Sequence, residues 1–314
     1  SEALTVSAAA YRDTYDAAAH NAVTNVRPSV PGATITYSLD GETYTSTPPT
    51  ITNVGALKVY VKASLVNYQD AVVEKIAEVT PATLQLTADN KSRAYGVANP
   101  TLTYSASGLK GNDTLESIGL AGSVQIACAA TPETPVAESP VTITLTGPAT
   151  TQNYHVQYTP GLLTISDNDQ MTVSATAYIG TYDAQSHDAV LNADSNISDA
   201  AIMYSTDGET YTSTMPTITN AGEQLIYVQA SHPNYVSKTI QVTAEVLRAD
   251  LTLTANNQVR SFGQPNPTLT YGIAGLLGDD TVENIGLAAA VQLACAADEN
   301  TPVAESPIAI TLTG

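Results

Sequence analysis

"DGETYTST", residues 40–47, returns letter for letter at residues 207–214. The offset is 167 residues. It also carries Tyr15 onto Tyr182, His20 onto His187, Asn99-Pro100 onto Asn266-Pro267 and Cys128 onto Cys295. From Thr5 to Gly147 the alignment with Thr172 to Gly314 needs no gap, and about six positions in ten are identical. A fixed internal period of this kind marks one structural unit used twice.

The octapeptide also sets the local structure around it. "ATITYSL" before it places Ile35, Tyr37 and Leu39 on one strand face, and Asp-Gly between alternating runs predicts a hairpin. Further on, "LKVYVKAS" (57–64) points Val59, Val61 and Ala63 inward and Lys58, Tyr60 and Lys62 outward. Upstream, "AAAYRDTYDAAAH" could pass for a helix. Its second copy, "ATAYIGTYDAQSH", has a glycine in the middle, which costs a helix interior about 1 kcal/mol. A strand entering a turn at Tyr-Asp suits both copies.

Each unit divides again. "EVTPATLQLTA" (78–88) and "EVLRADLTLTA" (245–255) read as junctions between two strands, giving modules at 1–81, 82–167, 168–248 and 249–314. Modules of about 80 residues are viable single cores. The odd modules, with short strands and Gly, Pro and Asn punctuation, fit a small immunoglobulin-like sandwich. In the second module "LQLTA", "TLTYSASGL", "SVQIACAA", "SPVTITLTG", "YHVQY" and "GLLTI" read as strands, and "NDTLESIGL" (112–120) as a helix of two turns at most. That order fits a β-grasp-like fold. The fourth module stops at Gly314, the equivalent of Gly147, before the counterparts of "YHVQY" and "GLLTI": either the fragment is cut there or a following piece supplies those strands, and only their true absence would expose an open sheet edge and part of a core.

Composition narrows the function. Acidic side chains number 30 against 11 basic, a formal charge of −19, which disfavours phosphate backbones and anionic membranes. The longest apolar stretch, "LAAAVQLACAA" (287–297), is too short for a membrane helix, and the N-terminus lacks the order of a signal peptide. The chain therefore reads as a mature fragment. Cys128 and Cys295, the only two cysteines, belong to different copies and are expected as free, strand-facing thiols. With 17 Tyr, one Phe and no Trp, strand-forming residues dominate.

The residues that could carry chemistry are few. Tyr15, Asp16 and His20 hold the side chains of a proton relay, but no nucleophile or metal-binding motif accompanies them. A turn braced by hydrogen bonds is the expectation, and no enzyme. No lysine keeps its place between the copies, which argues against a built-in isopeptide cross-link. No cofactor is expected. The acidic "SDNDQ" (166–170) leaves Ca²⁺ at Asp167–Asp169 as the one cation site to consider, against a solvated linker. Tyr44, Tyr60, Tyr211 and Tyr227 are the ligand-binding candidates, because tyrosine supplies rigid amphipathic contact area.

One resemblance covers nearly the whole chain. "YGVANPTLTYSASGLKGNDT" with "NYHVQYTPGLLTI" resembles the MBG domain of YGX type found in bacterial surface proteins. Its elements here are Tyr95-Gly96, Asn99-Pro100, Leu102 to Tyr104, Gly108-Leu109, Asp113-Thr114, Asn153-Tyr154 and Gly161, with Phe262 replacing the motif tyrosine in the second copy. The odd modules are similar to Ig-like modules interleaved with it. The resemblance implies a mostly β, elongated chain of four modules, extracellular on a bacterial surface, monomeric and non-catalytic. Its function would be that of a stalk, with weak multivalent binding to host mucus glycans. The alternative is a dedicated binder of a host surface or secreted protein, such as immunoglobulin. Neither nucleic acid nor membrane insertion enters that reading.

Overall fold

The computed structural model describes residues 3–314. They form two compact units that divide between Asp167 and Asn168. Nearly all regular structure is strand. Among the described residues no helix is long and apolar enough to cross a membrane.

In the first unit the leading module contains β1 (Val6–Ala10), β2 (Arg12–Thr14), β3 (His20–Asn21), β4 (Val23–Pro28), β5 (Thr34–Ser38), β6 (Thr50–Ile51), β7 (Gly55–Ser64) and β8 (Ala71–Thr80). A four-stranded sheet runs β2-β8-β7-β5, with β2 parallel to β8 and the rest antiparallel. The pairs β1–β4 and β3–β6 complete the sandwich. The alternation read in "LKVYVKAS" is observed: Val59, Val61 and Ala63 are fully buried. Leu39 departs from its expected face and is 54% exposed. The strand ends at Ser38, whose hydroxyl donates to Asp40 Oδ1 at 2.7 Å, so Leu39 falls in the turn.

The second module follows without a break as β9 (Ala82–Ala88), β10 (Lys91–Ala94), β11 (Tyr104–Ser107), β12 (Gln125–Cys128), β13 (Val141–Thr146), β14 (Tyr154–Thr159) and β15 (Gly161–Ser166). Two sheets form, β10-β15-β13-β12 and β11-β9-β14. Between them lie Leu84 and Leu86 of β9, Ile143 and Leu145 of β13, Val156 of β14, and Leu163 and Ile165 of β15. The strands β14 and β15 run parallel to β9 and β10, and β15 is also antiparallel to β13. The module's last segment therefore threads both sheets. Gly161 allows the crossing, since a Cβ there would sit 2.7 Å from the Ala88 carbonyl oxygen.

The short helix expected at 112–120 is instead one hydrogen-bonded turn. The Thr114 and Ser117 side chains cap each other's amides at 2.9 and 3.1 Å, and Ile118 donates to the Thr114 carbonyl. Gly119, at φ +77°, then reverses the chain and drops Leu120 into the core. The Leu120 and Ala121 amides both close back onto the Leu115 carbonyl, which ends the turn at the glycine.

The second unit begins with the same sandwich: β16 (Val173–Ala177), β17 (Ile179–Thr181), β18 (His187–Asp188), β19 (Val190–Ser195), β20 (Ala201–Ser205), β21 (Thr217–Ile218), β22 (Gly222–His232) and β23 (Tyr235–Leu247). Its sheet order, β17-β23-β22-β20, matches the first copy. The last module contains β24 (Thr252–Ala255), β25 (Tyr271–Ala274), β26 (Gln292–Cys295) and β27 (Ile310–Thr313), paired only as β24–β25 and β26–β27. Leu251 is 38% exposed where its counterpart Leu84 is fully buried, and no residue after Val246 is buried.

Candidate functional site

The segment "TYDAAAH" sends its side chains in two directions. Asp16 accepts from the Ala18 amide at 2.8 Å and meets His20 Nε2 at 2.8 Å. His20 stacks on Tyr11, with centroids 4.5 Å apart and planes 12° from parallel. The Ala18 amide and then His20 hold the Asp16 carboxyl below its ordinary range. Ala17 takes a left-handed φ of +68°, which this local bonding stabilises. The second copy repeats the brace, with His187 Nε2 3.0 Å from Asp183 and stacked on Tyr178 at 4.4 Å.

Tyr15 turns away from this surface brace into the interior, where it is 5% exposed. Its hydroxyl donates to Asp113 Oδ2 at 3.0 Å, and Tyr154 donates to the same oxygen at 2.6 Å. The Lys110 amide donates in turn to the Tyr154 hydroxyl at 2.8 Å. Next to it, Asn153 accepts from the Val54 amide at 3.0 Å and donates to Asn53 Oδ1 at 3.1 Å. Tyr15, Asn53 and Val54 come from the sandwich; Lys110, Asp113, Asn153 and Tyr154 come from the module after it. Burial, then the bond to Asp113, raises the pKa of Tyr15 and pushes Tyr154 up to about 12. Both phenols are therefore held protonated as donors. One apolar core runs through both modules.

The structure thus separates the three residues that could have formed a relay. Tyr15 joins two modules, while Asp16 and His20 brace a turn on the surface. Sequence reading had placed Asp113, Asn153 and Tyr154 only among motif letters. The signal was their chemistry: a carboxylate and an Asn-Tyr pair among apolar strands need partners. Among the described residues no group of three or more His, Cys, Asp or Glu is placed to hold a metal ion.

The four candidate tyrosines lie at the outer face of the two sandwich sheets, all half-buried. Tyr60 covers the hairpin turn at Gly41, and Tyr227 covers Gly208. Lys62 Nζ stands 4.1 Å above the Tyr44 ring and 3.7 Å from Asp70, so Tyr44, Tyr60 and Lys62 form one patch. Lys58 Nζ lies 5.8 Å from the Tyr60 ring centre and 3.2 Å from Glu74. In the second copy Tyr211 and Tyr227 keep their places, but Leu225 and Gln229 replace the two lysines. Cys128 and Cys295 are free and half-buried.

The motif letters of the second module also turn out to be structural. Arg93, 7% exposed, donates to Asn99 Oδ1 at 2.7 Å and to the Thr131 carbonyl. Asn99 then donates to the Ala130 carbonyl at 2.6 Å. Gly108, at φ +102°, passes so close to Thr83 that a Cβ would meet its carbonyl oxygen at 2.4 Å. Arg260, Asn266 and Gly275 repeat the arrangement in the second copy. Residues 84–164 and 251–313 match the MBG domain of YGX type.

The MBG-matched modules thus alternate with Ig-like ones. No curated protein matches the sequence. Among solved structures, Sidekick-1 immunoglobulin domains 1–4 are similar at 12% identity and a TM-score of 0.28, covering 79% of this chain and 76% of that one. Protocadherin gamma B7 extracellular cadherin domains 1–4 give 15% identity and a TM-score of 0.28, covering 99% and 83%. Drosophila N-cadherin EC1–4 gives 11% identity and a TM-score of 0.26, covering 80% and 76%.

Proposed function

We propose that the chain is a non-catalytic stretch of a bacterial surface protein, a stalk whose repeated modules add weak multivalent binding to host mucus or glycans. The observation that carries this reading is the junction at Asp113. Two tyrosines from different modules share its carboxylate, and a single core joins an Ig-like module to an MBG-matched one. Such a joint resists bending within the pair, which suits a module that transmits force or holds a ligand-binding face at a distance. Tandem duplication supports the multivalent part, since repetition raises effective concentration without any new contact.

A second reading, a dedicated binder of a host surface or secreted protein, is favoured by the Tyr44–Tyr60–Lys62 patch. Lys62 has no counterpart in the second copy, so a partner that needs it would bind one site per chain. Affinity capture from mucus and from serum on immobilised 1–314 separates the two. Retention of mucus glycan that a Tyr44→Ala/Tyr60→Ala variant weakens but keeps, through Tyr211 and Tyr227, supports the multivalent stalk. Saturable one-to-one retention of a protein, abolished by Lys62→Ala, supports the receptor. Retention of neither removes the binding part of both readings.

A further inference from the structure

The two copies of the sandwich have diverged along the outer face of the four-stranded sheet. Thr36, Lys58, Lys62, Val72, Glu74 and Ile76 share that face with Tyr60. Tyr60 is kept as Tyr227, but the other six become Met203, Leu225, Gln229, Thr239, Gln241 and Thr243. The segment beside them has not followed. From Tyr37 to Asn53 only Leu39 and Pro48 differ between the copies, as Thr206 and Met215. Burial does not explain this constancy, because Thr43, Thr45, Ser46, Thr47 and Thr50 are exposed, and so are their counterparts. Internal hydrogen bonding does not explain all of it either. Among the described residues the Thr47 and Thr50 hydroxyls meet no partner.

The backbone presents this segment in a fixed form. Thr45 exchanges both main-chain bonds with Tyr37 of β5, at 2.7 and 2.8 Å, and the Pro49 carbonyl accepts from the Ala22 amide at 2.8 Å. The same bonds join Thr212 to Tyr204 and Pro216 to Ala189 in the second copy. In the first copy the segment borders an open cleft of about 410 Å³, lined by Thr43, Thr45, Thr47 and Thr50 with Pro48 and Pro49. That volume is in the range of small-ligand sites. Among the described residues lining it, Asp40 is the one carboxylate and none is cationic. Asp40 is itself committed to the Ser38 hydroxyl and to the Glu42 and Thr43 amides. The Tyr44 ring meets Lys62 instead.

We propose that this cleft, and the matching segment 204–217, bind an uncharged saccharide. Each threonine joins a methyl group to a hydroxyl that both donates and accepts. A sugar ring alternates hydroxyls with C–H faces, so it meets both, and the two prolines add an apolar wall. The Asp40 carboxylate and a chain charge of −19 disfavour sialylated or sulfated ligands. Hydroxyls already held on paired backbone leave little to order on binding. Thr206 for Leu39 and Met215 for Pro48 make the two sites unequal. The inference rests on the glycan part of the function proposed above and adds a site separate from Tyr44 and Tyr60.

The test titrates neutral mucin oligosaccharides, freed of sialic acid and sulfate, into isotope-labelled 1–314 and follows the amide chemical shifts. Saturable shifts are expected at 37–50 and 204–217. Thr47→Val keeps the side-chain shape and removes a hydroxyl without a protein partner, so the unfolding midpoint should not move. It should weaken binding at the first site about fivefold, the loss of one neutral hydrogen bond. Thr214→Val should do the same at the second site alone. Lys62→Ala, in the tyrosine patch, should leave both affinities unchanged. Binding lowered by Lys62→Ala and untouched by Thr47→Val would overturn this site while keeping the glycan reading. Equal or tighter binding of the sialylated or sulfated oligosaccharides would overturn it as well. No response to any oligosaccharide would remove the glycan reading with it.

Discussion

The rings of Tyr15 and Tyr154 meet edge to face, 5.5 Å apart at 80°, and their hydroxyls share one oxygen of Asp113. The two tyrosines stand 139 positions apart in the chain and belong to different modules. Two phenol hydroxyls thus converge on a single carboxylate oxygen, one from each module. The contact makes the orientation of two small β modules a property of the fold.

Removing the acceptor should therefore cost more than removing either donor. Asp113→Ala takes the acceptor from two enclosed hydroxyls, of which Tyr154 keeps only the Lys110 amide as partner, and should destabilise the first unit by about 3 kcal/mol, whereas Tyr154→Phe should cost about 1–2 kcal/mol. Denaturant unfolding, with hydrogen exchange assigning the loss to residues 1–167, measures both. Equal effects would mean that the carboxylate is not the centre of the junction.

The raised phenol of Tyr154 gives the junction a pH signature. Its pKa is about 12 in the fold against an ordinary value of 10.0, chiefly through burial. A group whose folded pKa is raised favours the folded state fully below its unfolded value, and that contribution is lost as pH rises through the folded one. The first unit should hold its stability up to about pH 10 and lose it progressively towards 12. Tyr154→Phe should flatten that decline, as followed by circular dichroism across the alkaline range.

Leu84 and Leu251 occupy the same repeat position, yet the first is fully buried and the second 38% exposed. Leu84→Ala should cost about 3 kcal/mol, within the range for buried leucines. Leu251→Ala should change stability by less than about 0.5 kcal/mol. A comparable loss at both positions would show that the last module closes its core in solution.

What the sequence disclosed follows the range of the interactions involved. Val59, Val61 and Ala63 were legible because strand period is local, and the turn at Asp40-Gly41 because two residues set it. Leu39 was misplaced for the same local reason: Ser38 bonds to Asp40 and ends the strand one residue early. The expected helix at 112–120 stops after its first turn because Gly119 takes a left-handed φ of +77° and the Leu120 and Ala121 amides close back onto the Leu115 carbonyl. The Asp113 junction was invisible, since its partners lie 98 and 41 positions away and their letters read as turn and strand.

The two hairpin turns should be the most acid-resistant feature of the sandwich modules. Asp207 accepts the Ser205 hydroxyl at 2.7 Å and the Glu209 and Thr210 amides at 2.8 Å each, and Asp40 makes the same three bonds. These bonds, the serine hydroxyl first, hold Asp207 at about 2 and Asp40 far below the ordinary carboxylate range. A folded pKa below the unfolded one stabilises the fold above the unfolded value, near 4, and that contribution is lost as pH falls through the folded value. Carboxyl resonances of Asp207 should therefore titrate with a midpoint near 2. Ser205→Ala removes the first-ranked donor and should move that midpoint up towards 4 while leaving Asp40 unchanged. A midpoint near 4 in the unaltered chain would show that the turn is not closed by its aspartate.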